Sequence, residues 1–345
     1  MMNRRGTFAA IFVVVCAALA AAQQDPELQA RSRLFPDVGP GLTSLKRDPA
    51  GRYLVLAARA GAVAVYSAEG KRVAQIPTNE AMGAGAPGGP AAATQAALIY
   101  GADLDVDARG NVYVADPGAG AVKVFTPAGT FLRSFAVPAP ASIAALPEGE
   151  VAVVSAEMGT TREANPRLIS VYDARGKLAR EFGDPIQIAD RNEVNRLLGM
   201  GRVTSDPAGH IYYAYTYLPE PTLRRFDQFG YTTLEIELAT LEFQPAARAM
   251  RREVEKQDKK GGKPTLLPVV HAAGVDPESE DIWMAIGNLL IHFDKEGSRR
   301  GSYRVFTSEG ARLEPVSIVV ERERLLIAAD PLGIYEFPRP DKARK

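Results

Sequence analysis

The chain has 345 residues, with 41 lysines and arginines against 41 aspartates and glutamates, one cysteine and one tryptophan. This is a globular composition, without the charge excess of a disordered chain or the cysteine density of a disulfide scaffold. Zero net charge also removes the simplest argument for nucleic-acid binding, because a phosphate-binding surface normally shows as a basic excess.

Arg4 and Arg5 give the N-terminus positive charge, residues 8–22 form an apolar run, and Ala20, Ala21 and Ala22 are small side chains of the kind that precede a signal-peptidase cut. The run is shorter than the roughly 20 apolar residues that cross a bilayer. Residues 1–22 therefore read as a secretory signal peptide. The protein is expected to be exported, to a periplasm or to the extracellular space, with no transmembrane anchor after cleavage. Cys16 lies inside the apolar run and leaves with it. The mature chain then has no disulfide, thiol nucleophile or cysteine-ligated metal.

Beyond an N-terminal segment, 23–40, two turn signals recur. The first precedes an apolar run and starts at Asp48, Asp107, Leu146, Asp206, Asp276 and Glu321; in the clearest copies it reads Asp-x-x-Gly. The second is an aromatic residue followed four residues later by glycine: Tyr66 to Gly70, Phe125 to Gly129, Tyr172 to Gly176, Phe226 to Gly230 and Phe293 to Gly297. Tyr335 begins a sixth copy. In the clearest unit, strands are expected at 103–106, 112–115, 122–125 and 131–135, with tight turns at 107–110 and 126–129. No helix fits between consecutive strands, which excludes parallel crossover folds.

Six four-stranded antiparallel units across 41–338 predict an all-β fold, a six-bladed β-propeller in a single domain. The sixth unit stops after its third strand, 334–337. The segment 29–35 is expected to supply the missing strand and close the ring, leaving 339–345 as a tail. A closed ring of this kind is expected to be a monomer.

The run Asp107-Ala-Arg-Gly-Asn-Val-Tyr-Val-Ala-Asp116, followed by Val122-Lys-Val-Phe125 and then Gly129 and Leu132, resembles an NHL-type propeller repeat. It departs from that family at 118–121, where Gly-Ala-Gly-Ala stands in place of the usual Asn and Arg before the third strand. The resemblance implies the fold and leaves the activity open, because propellers host binding, scaffolding and catalysis alike. The related gluconolactonase-type propellers hold a divalent cation in the channel with carboxylate and amide ligands from several blades, which would apply here only under an enzyme reading, since the mouth offers Asp103 with Asp105 two residues deeper.

Length beyond the repeats is spent unevenly. Segments 77–98, 184–201 and 239–270 follow fourth strands, and 159–167 joins the second and third strands of the third unit. In a propeller these connections share the face onto which the channel opens, whereas the opposite face receives mainly short turns. A loop-rich face on a rigid ring reads as a binding surface. The stretch 82–95 is Gly/Pro-rich and expected to be mobile. Residues 190–199 read as a short helix with Asp190 at its N-cap, and 246–260 as a longer, charged, solvated helix ended by Gly261 and Gly262.

Counting back from each first turn places Ser44, Asp103, Ser142, Arg202, His271 beside Ala272, and Ser317 at the channel mouth. These are the candidate ligand-binding residues, since a guanidinium, a carboxylate and hydroxyls can fix a polar ligand. Asp103 with His271 is the candidate acid/base pair, and Asp103 with Asp105, two residues deeper, the candidate metal ligands. Asp116, Glu157 and Asp330 end second strands on the same face. His210, His271 and His292 fall in different units, which argues against a three-histidine zinc site.

The sequence points to an exported binding or scaffold protein recognising a protein partner or small polar ligand on its loop-rich face. No nucleic acid and no required cofactor are expected. The alternative is a metal-assisted lactonase or lyase centred on the channel mouth, with a divalent cation.

Overall fold

The computed structural model describes residues 25–78, 89–157 and 167–342. The signal-peptide expectation for 1–22, most of the 159–167 connection and residues 82–88 of the Gly/Pro-rich stretch lie outside the described residues.

The N-terminal segment forms β1 (Glu27–Gln29) and β2 (Ser32–Leu34). Blade 1 holds β3 (Leu42–Arg47), β4 (Tyr53–Ala57), β5 (Val63–Tyr66) and β6 (Arg72–Ile76), followed by helix α1 (Gly89–Ala96). Blade 2 holds β7 (Asp103–Val106), β8 (Val112–Asp116), β9 (Ala121–Phe125) and β10 (Phe131–Ala136), and blade 3 holds β11 (Pro140–Ala145), β12 (Val151–Ser155), β13 (Ile169–Tyr172) and β14 (Leu178–Phe182). Helix α2 (Asn192–Gly199) leads to blade 4, with β15 (Gly201–Ser205), β16 (Ile211–Tyr215), β17 (Thr222–Phe226) and β18 (Thr232–Glu237). Helix α3 (Gln244–Lys260) precedes blade 5, with β19 (Ala272–Val275), β20 (Ile282–Ile286), β21 (Leu289–Phe293) and β22 (Arg299–Phe306). Blade 6 holds β23 (Ser317–Val320), β24 (Arg324–Ala329) and β25 (Gly333–Pro338).

Within each blade the strands are antiparallel in chain order, so the protein is the six-bladed propeller read from the repeats. The first strands β3, β7, β11, β15, β19 and β23 stand side by side around the axis. Burial explains the residue pattern. A middle strand is covered on both faces by neighbouring blades, so β8 and β16 are buried at every position and carry continuous apolar runs, Val112 to Ala115 before Asp116 in β8 and Ile211 to Tyr215 in β16. The outer strand β10 alternates half-buried and exposed residues and reads Phe-Leu-Arg-Ser-Phe-Ala. The core is accordingly divided into one cluster between each pair of adjacent blades.

Ring closure follows the expectation and adds to it. Ser32–Leu34 pairs antiparallel with β25, supplying blade 6 with its fourth strand. Leu28 and its neighbours in β1 also pair, in parallel, with β22, so the N-terminal segment stitches blades 5 and 6 together. Phe35 then turns into the seam between blades 6 and 1, its ring 4.3 Å from that of Tyr66 and 5.5 Å from that of Tyr53.

The last described residues do more than trail from the ring. Arg339 is buried on the turn-bearing face, where its Nη1 donates to Asp276 Oδ2 at 2.5 Å and to the Glu321 carbonyl at 3.1 Å. Burial alone would raise the Asp276 pKa, but the hydrogen bond from Arg339 and that from the Glu278 amide reverse this and hold the carboxyl below its usual range. A group depressed in the folded state contributes stability above its unfolded value, here 3.8, and loses it as pH falls through the folded value. Acid unfolding followed from about pH 6 to about pH 2 should therefore be shallower in pH for Arg339→Met than for the wild type. Parallel acid limbs would contradict this coupling.

Candidate functional site at the channel mouth

The inner strands carry Ser44, Asp103, Ser142, Arg202 and Ser317, His271 directly precedes the inner strand of blade 5, and the three serines join neighbouring blades. Ser44 Oγ donates to the Leu104 carbonyl (3.4 Å), from blade 1 to blade 2. Ser142 Oγ donates to Asp103 Oδ2 (2.7 Å) and accepts from the Val203 amide (3.1 Å), linking blades 2, 3 and 4. Ser317 Oγ accepts from the Leu45 amide and donates to the Leu45 carbonyl, both at 3.1 Å, across the closing seam. Inner strands of adjacent blades do not pair as one sheet, so these side chains satisfy polar groups that would otherwise be buried without partners.

Asp103 is buried and accepts from the Leu104 amide (2.9 Å) and the Ile143 amide (3.2 Å) besides Ser142. Asp105 accepts from the Ala145 amide at 2.9 Å. Its other oxygen lies 3.2 Å from Lys46 Nζ, a residue absent from the sequence-derived set. Burial works against the charge on Lys46, but Asp105 and then Asp103 outweigh it, and its pKa is raised. The signal was available: Lys46 lies two residues beyond Ser44, as Asp105 lies two beyond Asp103, and strand residues two apart share a face. Extending the mouth count one step deeper brings the two opposite charges onto adjacent blades.

Arg202 does not pair with Asp103. It reaches from blade 4 to the opposite side of the ring, where Nη1 donates to the carbonyls of Val316 (3.1 Å) and Thr43 (3.4 Å), and so crosses the channel. His271 is held by its own blade: Nδ1 accepts from the Gly287 amide at 3.1 Å, which leaves the proton of the neutral ring on Nε2. The structure thus brings Asp103, Ser142, Asp105 and Lys46 together, and leaves His271 outside that network.

The donor set does not fit the divalent cation implied by the gluconolactonase likeness. Asp105 is already paired with Lys46, and the oxygens of both carboxylates are occupied by protein donors. Calcium wants 6 to 8 oxygen ligands. Among the described residues, the two groups of carboxylate and imidazole side chains close enough to share a metal ion lie elsewhere. Of the second-strand carboxylates, Asp116 accepts from the Ile99 and Tyr100 amides (2.9 and 3.0 Å), and Asp330 from those of Gly41 and Leu42 (2.5 and 3.2 Å). Both clamp incoming chain.

The described parts of the insertions include three helices. Gly89–Ala96, which begins inside the 82–95 stretch expected to be mobile and ends one residue beyond it, is helical. Helix α2 begins at Asn192, not at Asp190, and Arg191 occupies the N-cap position without a side-chain cap bond. The carboxylate of Asp258 in α3 instead accepts from the amides of Asp190 (3.0 Å) and Arg191 (2.9 Å), which lowers its pKa. Helix α3 is not wholly solvated either: Val254 is buried with Val194, Leu198 and Leu266 in a small core between the insertions. The same connections carry Ile99, Tyr100, Ile188, Leu241 and Leu267, each at least 41% exposed.

Comparison with known proteins supports the fold and goes no further. No known protein family and no curated protein matches the chain. Among solved structures, virginiamycin B lyase from Staphylococcus aureus is similar at 15% identity and a TM-score of 0.50, over 90% of this chain and 87% of that one. Hydrazine synthase from Kuenenia stuttgartiensis is similar at 12% identity and 0.52, over 90% and 98%. The WD40 repeats of RRP9 are similar at 9% identity and 0.54, over 90% and 99%. Enzymes and a repeat domain share the ring, so the ring alone does not define an activity.

Proposed function

We propose that this is an exported propeller that binds a protein partner on its insertion-bearing face. The observation that carries the reading is the set of exposed large apolar side chains, Ile99, Tyr100, Ile188, Leu241 and Leu267, on the connections that surround the channel mouth. Apolar and aromatic side chains presented by loops on a rigid scaffold are the usual material of protein recognition. Among the described residues, half of the exposed large apolar side chains lie on these connections, and the α2–α3 pair gives part of them a firm base. The export expectation is consistent with a partner met outside the cytoplasm; among the described residues no helix is long and apolar enough to cross a membrane.

The alternative, a metal-assisted lactonase or lyase at the mouth, draws less support, because Asp103 and Asp105 are engaged by protein donors and His271 is turned to its own blade. Chemical crosslinking in the producing cell's envelope tests the binding reading. Replacing Tyr100, Ile188 and Leu267 by serine should abolish a crosslinked species formed by the wild type. The matched control replaces Val73, Leu132 and Leu178 on the outer strands and should leave it. A species unaffected by the first set, or lost with the second, would sink the assignment.

A further inference from the structure

The turn-bearing face has one blade that breaks the pattern of the others. In blades 1, 2 and 4, the residue four places after the turn aspartate donates back to it: Arg52 Nε to Asp48 Oδ2 (2.7 Å), Asn111 Nδ2 to Asp107 Oδ2 (2.8 Å), and His210 Nδ1 against Asp206 Oδ2 (2.8 Å). The contact between His210 and Asp206 is therefore ordinary turn chemistry here. In blade 5 the turn is one residue longer, and its closing position holds Asp281, which as a carboxylate has no proton to donate. Arg339 takes over the donor role towards Asp276. Asp281 is freed and faces His292 Nε2 at 3.0 Å.

His292 is buried to more than nine-tenths, and its ring is stacked on Trp283 at 4.3 Å and 7°. Asp341, beyond the last strand, brings a second carboxylate: one ligand atom each from Asp281, His292 and Asp341 lies within 4.8 Å of the others. Arg339 fixes the Asp341 carboxylate with two parallel hydrogen bonds, Nε to Oδ1 at 3.0 Å and Nη2 to Oδ2 at 2.6 Å. The three side chains border a cavity of about 390 Å³ that Asp294, Arg300 and Tyr303 also line.

We propose that Asp281, His292 and Asp341 form a binding site for a divalent transition-metal ion of the zinc class, away from the channel. One imidazole and two carboxylates converging from a turn, a strand and the C-terminal segment are a ligand set that zinc accepts, and the cavity gives room for water at a fourth position. Charge agrees: Asp276, Asp281, Asp294 and Asp341 face two guanidiniums, Arg300 and Arg339, so a neutral imidazole leaves two negative charges in excess. The stacking of Trp283 and the fork of Arg339 are the outer supports that hold such ligands in place. An imidazole ligand also disfavours calcium and magnesium.

The test uses the chain's only tryptophan, Trp283, as a reporter. Zinc added to chelator-treated protein should change its fluorescence saturably at one equivalent and raise the melting temperature. Asp281→Asn and Asp341→Asn should each weaken the response about tenfold or more, and His210→Gln should leave it intact. No saturable change, unchanged affinity in both aspartate variants, loss in His210→Gln, or an equal response to magnesium would each overturn the proposal. Should either aspartate variant fail to fold, cobalt added to the wild type decides: quenching of Trp283 at one equivalent supports the site, and no quenching overturns it.

Discussion

Deletion of residues 25–38 is expected to abolish cooperative unfolding. The segment supplies β2 to blade 6 and β1 to blade 5, so its loss leaves blade 6 with three strands and uncovers the edges of both β22 and β25. It also removes Leu28 and Ala30 from the core between blades 5 and 6, and Phe35 from the core between blades 6 and 1. Burying a large apolar side chain contributes about 1.5–3 kcal/mol. The two large residues alone then account for about 3–6 kcal/mol, against a net stability of about 5–15 kcal/mol for a folded domain. An opened ring also exposes two inter-blade surfaces that water reaches. Urea unfolding should show one sharp transition for the full chain and a broad, non-cooperative change for the deletion. Phe35→Ala should fall between them, at a loss of about 3–5 kcal/mol. A deletion that unfolds at the wild-type midpoint would refute this account of closure.

The blades were legible because their determinants are local. Turn glycines, the aspartates that accept turn amides, and apolar middle strands recur within each unit, and Gly110, at a φ of 82°, occupies a turn conformation that favours glycine. The mouth positions were legible for the same reason, since they sit at a fixed count from those turns. Their partners were not. Whether Arg202 meets Asp103 or crosses the ring depends on which blades stand opposite each other and how wide the channel is, and neither is encoded near residue 202. The strand β1 escaped because three residues, Glu27, Leu28 and Gln29, are too few to show alternation, and its partner β22 lies far along the chain. The helix start was misplaced for a related reason: the carboxylate near the first turn of α2 comes from Asp258, in a different insertion. The convergence of Asp281, His292 and Asp341 is likewise invisible until the chain after β25 folds back over blade 5.

Asp116→Ala should be the most damaging single substitution on the insertion-bearing face. Asp116 and Lys123 form an ion pair of 3.1 Å, with both side chains almost wholly removed from water. The carboxylate accepts three backbone amides, those of Ile99, Tyr100 and Ala119, and Lys123 Nζ donates to the Ala97 carbonyl as well. Removing one partner of a buried pair leaves the other charge uncompensated, a loss of about 3–5 kcal/mol. Lys123→Met should cost less. The remaining carboxylate keeps its three amide donors, and the methionine side chain fills apolar space with no charge to bury. The double variant should therefore recover part of the Asp116→Ala loss, a coupling that a double-mutant cycle in urea measures directly. Equal effects of the two single variants, or additivity in the double, would contradict the pairing. The same clamp fixes the backbone of Ile99 and Tyr100, so Asp116→Ala should weaken partner crosslinking even below its unfolding midpoint, where the ring itself is intact. Crosslinking that persists at wild-type strength under those conditions would separate the clamp from the binding face.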